Sequence, residues 1–200
     1  MTELVLLVLL CTIPFLRSIR GECLFDDPLM FDVGQTPAGQ RTLRAFHAVP
    51  RDLVHIFDGW LWKLFGINTT GMDELEITII QPMWPWHALS IAFHIGTTLC
   101  LYSLITSLHL LMDSRAFWAA AIFAVHPLQV TAIAYISGRA GVQAAFFSGL
   151  GFLHAMAGGW HWLAVPVCHY FAWKSKEDGL MYLAFYPVIL WKSLAWIVGH

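Results

Sequence analysis

Three short clusters hold the side chains of this 200-residue chain best suited to moving protons or gripping a charged ligand. They are Phe25-Asp26-Asp27-Pro28, the stretch from His126-Pro127 to Gly138-Arg139, and Lys174-Ser175-Lys176-Glu177-Asp178. Carboxylate and imidazole groups are the usual proton carriers, and guanidinium and ammonium groups form charge-assisted hydrogen bonds to anions. Each cluster stands at the end of an apolar segment. If those segments cross a bilayer alternately, all three clusters emerge on one face, where they can make a polar site.

Each cluster also has an ordinary reading. An Asp-Asp pair is commonly a solvated turn. His126 before Pro127 commonly marks a helix end, because proline disfavours the helical conformation in the residue preceding it. Lys174, Lys176, Glu177 and Asp178 can neutralise one another at an interface. Against these readings, an isolated charge at the bilayer centre costs about 2.5–3.5 kcal/mol on insertion scales, so charges beside membrane segments are usually paired or functional.

The elements that must position these residues are apolar. Hydrophobic residues make up 58% of the chain and charged residues 12%, and the mean hydropathy is +0.64, which predicts an integral membrane protein. The 10 Trp, 14 Phe and 5 Tyr suit a chain with two membrane interfaces to anchor. A net charge of −2 argues against a nucleic-acid partner. Cys11, Cys23, Cys100 and Cys168 have neither metal nor redox spacing and read as packing residues.

Leu4 to Leu16 is apolar but opens Met1-Thr2-Glu3, without the basic start of a signal peptide, so a retained first helix is expected. Residues 17–80 carry most of the charge and read as a long extramembrane loop. Within it Leu53, Ile56, Phe57, Trp60, Leu61, Leu64 and Phe65 recur at helical spacing opposite Arg51, Asp52, Asp58 and Lys63, which predicts an amphipathic helix lying on the membrane surface. Five more apolar stretches follow, at 86–112, 117–135, 142–157, 160–173 and 180–198. Several are short for the roughly 20 residues of a straight crossing. The expectation is an all-α, polytopic transmembrane bundle of about six helices, one domain over 1–200, with its transmembrane helices within 86–198. Six crossings put the 17–80 loop, Gly138-Arg139 and Lys174 to Asp178 on one side, and Arg115 with Gly158-Gly159 on the other. The positive-inside rule would make the first side cytoplasmic, although that rule reads short loops best.

The stretch Phe117 to Arg139, with its His126-Pro127 and Gly138-Arg139 pairs, resembles the third-helix region of C-type (GT-C) membrane glycosyltransferases. The nearest likeness is to the group whose membrane half precedes tetratricopeptide repeats and that acts in protein O-mannosylation. Phe25-Asp26-Asp27-Pro28 is similar to that family's acidic pair in the first external loop, and Trp173-Lys-Ser-Lys-Glu177 to its Ser-Lys-Glu turn. Pro85-Trp86-His87-Ala88, with His94 beyond, also fits. The order and spacing of the three motifs extend the resemblance over nearly the whole chain.

The resemblance implies transfer of a sugar from a polyprenyl-phosphate donor to a protein or glycan acceptor, at the outer or lumenal face of a bacterial inner membrane or an endoplasmic reticulum membrane. It implies Asp26 and Asp27 acting on the acceptor, as general base or as ligands to a divalent cation such as Mg or Mn. It implies His126, Arg139, Lys176 and Glu177 at the donor, with Arg139 and Lys176 offsetting the carrier phosphate. Two positions depart from the family: Thr131 and Gly141 stand where it usually carries a glutamate and an aspartate. The family's membrane part is also longer, so the chain is expected to match its N-terminal half, with a second membrane subunit as a source of further helices. The alternative expectation is a non-catalytic subunit that keeps the fold and binds lipid or a partner complex.

Overall fold

A computed structural model describes residues 1–20, 52–65, 72–73, 76–77, 83–108, 113–187 and 190–191. The described residues are helical apart from a two-residue antiparallel ladder pairing Met72–Asp73 with Glu76–Ile77. In chain order the helices are α1 (Thr2–Thr12), α2 (Asp52–Phe65), α3 (Trp84–Ser107), α4 (Asp113–Val125), α5 (Gln129–Ala134), α6 (Arg139–Ala157) and α7 (Ala164–Ser175). Short 3-10 turns follow α1, Gly159–Leu163 forms a 3-10 turn before α7, and Glu177–Phe185 is a longer 3-10 segment after it.

Two described helices are long and apolar enough to cross a membrane, α3 with 24 residues and α6 with 19. Six crossings are therefore not what the described residues display, and local chemistry explains the difference. The predicted 117–135 segment is cut at His126-Pro127, with α4 ending at Val125 and the short α5 beginning at Gln129. The predicted 160–173 segment is a 3-10 turn followed by a 12-residue helix. Gly158 and Gly159 stand at the junction of α6 with that turn, at φ +69° and +56°, a backbone region that side chains other than glycine's disfavour. The predicted 180–198 segment begins as the 3-10 helix 177–185.

Helix α6 is the axis of the fold, packing against both α3 and α7. Its glycines let the backbones approach: a Cβ on Gly149 would meet Cys100 of α3 at 2.8 Å, and one on Gly151 would meet His169 of α7 at 2.8 Å. Helix α1 packs on α3 and α4, with Cys11 Sγ donating to Thr98 Oγ1 over 3.2 Å and Tyr102 Oη donating to Glu3 Oε2 over 2.5 Å. Cys11, Cys100 and Cys168 are buried free thiols, as packing residues should be.

Helix α2 forms where its periodicity predicted, but it is rolled about its axis. Asp58, expected on the outward polar face, is buried, and so is Val54, which rests on Ala140. Ile56, Trp60 and Leu64 instead form an exposed apolar stripe. The reason is electrostatic: Asp58 has a cationic partner inside the fold.

Candidate functional site

That partner is Arg139, the first residue of α6. Arg139 is fully buried, and its Nη2 forms an ion pair with Asp58 Oδ1 of α2, 81 residues earlier in the chain. The same oxygen accepts a hydrogen bond from Trp86 Nε1, at 2.9 Å, from the first turn of α3. Three elements thus meet on one carboxylate. Gly138 brings the start of α6 close to α5, since a Cβ there would collide with the carbonyl oxygen of Thr131 and stand 3.1 Å from Ala132 Cα.

The cluster has spare hydrogen-bonding capacity. Arg139 Nε and Nη1, Asp58 Oδ2 and both amide atoms of buried Gln143, one turn along α6, lack hydrogen-bond partners. An unsatisfied buried polar group costs about 1–3 kcal/mol, and a guanidinium with two open N–H edges beside an amide is a donor-rich place for an oxyanion.

A second polar locus lies at the same end of α6. A cavity of about 260 Å³ is lined by Gln129, Gly141, Lys176, Asp178 and Tyr182, among others. Lys176 is held in extended backbone just beyond α7, and its Nζ pairs with Asp178 at 2.8 Å. Gly141 has nothing within 4 Å of the position a Cβ would take, so the place where the resembled family carries an aspartate is open space on the cavity wall.

The structure therefore brings the segments holding two of the three sequence clusters together, since α5, α6 and the turn after α7 all line one cavity. Within it Lys176 is on the wall, whereas Arg139 is committed to Asp58. His126 is exposed in the turn between α4 and α5, where its Nδ1 accepts from the Leu128 amide at 3.2 Å. Glu177 is exposed at the start of the 3-10 helix. Asp26 and Asp27 lie outside the described residues, as does Cys23. Asp58, Trp86 and Gln143 were missed as polar partners in the sequence.

No protein-family model matches the chain, and no solved structure matches it. The chain is 31% identical over 166 residues, 73% of its length, to a protein O-mannosyl-transferase of Caenorhabditis elegans. It spans 22% of that protein. The likeness supports a glycosyltransferase-like relationship, held over most of this chain and about a fifth of its relative.

Proposed function

We propose that the chain is the N-terminal membrane part of a glycosyltransferase-like system that takes a sugar from a polyprenyl-phosphate carrier and transfers it to a protein or glycan. The observation that carries this reading is the 31% identity to a protein O-mannosyl-transferase, which extends over 166 residues. The donor phosphate would lie against Lys176 on the wall of the 260 Å³ cavity, with the open guanidinium edges of Arg139, two residues before cavity-lining Gly141, as a second cationic group. Asp26 and Asp27 would meet the acceptor from the first loop, as base or as ligands to a divalent cation. In this reading the chain crosses an inner or endoplasmic reticulum membrane several times, its polar clusters facing the outer or lumenal side, and a second subunit or further chain supplies the remaining helices.

One observation favours a second reading, a non-catalytic subunit of the same descent. Arg139 is wholly buried and tied to Asp58, so its most evident task is to dock α2 on α6.

The test is consumption of a radiolabelled polyprenyl-phosphate sugar by membranes carrying the chain with its native partners. Turnover that disappears in Asp26→Asn/Asp27→Asn and falls at least tenfold in Lys176→Gln supports the transferase. Turnover at background with several donor sugars supports the subunit.

A further inference from the structure

At the end of α6 remote from the polar clusters, the structure joins two histidines that no reading of the site uses. His154 lies in the last turn of α6 and His161 in the 3-10 turn Gly159–Leu163, and their Nδ1 atoms stand 3.2 Å apart. The two glycines between them, both at positive φ, fold the chain back so that the rings meet through their Nδ1 edges, with centroids 5.4 Å apart and planes 26° from parallel. Trp160 stacks on the outer ring, centroid to centroid at 4.0 Å. Trp160, Trp162 and Leu163 are exposed around the pair, which is the composition of a membrane–water interface rather than of a bilayer interior.

We infer that His154 and His161 form a two-imidazole site for a borderline transition-metal ion such as Zn²⁺, Ni²⁺ or Cu²⁺, with their facing Nδ1 atoms as donors. Imidazole nitrogens bind such ions at 2.0–2.1 Å, so two donors on one tetrahedral ion stand about 3.3 Å apart. The observed separation matches that spacing, and a tilt of each ring brings the two lone pairs onto one ion. The site is also electrostatically suitable, since the unpaired carbonyls at the C-terminus of a helix favour a cation. Both rings are half-buried, which limits their rotation while leaving the pair reachable. Among the described residues no group of three or more metal-ligating side chains gathers in one place, so the protein supplies two donors and solvent the rest. Imidazole pairs of this kind follow the usual divalent order, with Cu²⁺ held most tightly. A bound ion would clamp the α6–α7 turn.

The same 3.2 Å also suits an N–H···N hydrogen bond, and the experiment separates the two. The full chain is reconstituted in phosphatidylcholine nanodiscs and titrated with Zn²⁺ against a chromophoric indicator. One equivalent is expected to be lost in both His154→Gln and His161→Gln, retained in His161→Cys, whose thiolate restores a donor, and unchanged in His126→Gln. Independently, Cu²⁺ is expected to quench one tryptophan component of the unmutated chain, and that component should be missing in Trp160→Phe; this readout stands even if a histidine variant fails to fold. Identical Zn²⁺ stoichiometry in all variants, or Cu²⁺ quenching that leaves the Trp160 component untouched, would overturn the site and leave a hydrogen-bonded pair.

Discussion

Replacing Asp58 with alanine probes the centre of the fold. The change removes the charge partner of a fully buried guanidinium and the acceptor of the 2.9 Å bond from Trp86. Breaking a buried ion pair by deleting one member costs about 3–5 kcal/mol, and leaving the indole N–H unsatisfied adds about 1–3 kcal/mol. Some of that overlaps, so Asp58→Ala is expected to lose about 4–6 kcal/mol, a large part of the 5–15 kcal/mol typical of a folded domain. Arg139→Met leaves a buried carboxylate with only the indole donor and is expected to lose about 3–5 kcal/mol. The pair Asp58→Ala/Arg139→Met deletes both charges, removes the acceptor of the Trp86 bond, and should lose about 1–3 kcal/mol. The double variant must then be more stable than at least the Asp58→Ala single, a strong departure from additivity. Unfolding by SDS in mixed micelles, followed by far-ultraviolet circular dichroism, measures all three. An Asp58→Ala loss under about 1 kcal/mol, or a double variant whose loss equals the sum of the singles, would refute the buried pair.

Two further outcomes follow from local geometry. Gly141→Ala meets nothing within 4 Å and should gain up to about 1 kcal/mol from helix propensity, whereas Gly138→Ala drives a methyl into the Thr131 carbonyl and should lose about 1–3 kcal/mol; the same SDS titration compares them. Exposed Trp60 on α2 should be quenched by lipid brominated near the headgroup more than by lipid brominated at the chain end, and equal quenching would remove α2 from the interface.

The sequence made helices and apolar segments legible because periodicity and hydropathy are local properties. It located α2 to within a residue, but it carried the segment 117–135 straight through His126-Pro127, where the structure breaks it. What it could not show was the roll of α2. Apolar periodicity alone put Leu53, Ile56, Phe57, Trp60, Leu61, Leu64 and Phe65 on one face, whereas the docked edge is chosen by a carboxylate whose partner lies 81 residues away. The histidines at 154 and 161 were equally opaque: seven residues on a straight helix are two turns apart, and only the Gly158-Gly159 reversal brings the rings together. Of the small residues on α6, Gly149 and Gly151 do mark close helix approach, while Gly141 opens onto a cavity. The acidic pair Asp26 and Asp27 lies outside the described residues, so the acceptor side of the proposed chemistry rests on resemblance.

The exposed stripe of α2 and the tie from Asp58 to Arg139 together make a mechanical linkage. Ile56, Trp60 and Leu64 turn an apolar stripe of α2 outward, and Asp58 fastens that helix to the first residue of a helix long enough to span. A force that shifts α2 relative to α6 is therefore borne by the Asp58–Arg139 bond, two residues before Gly141 on the cavity wall.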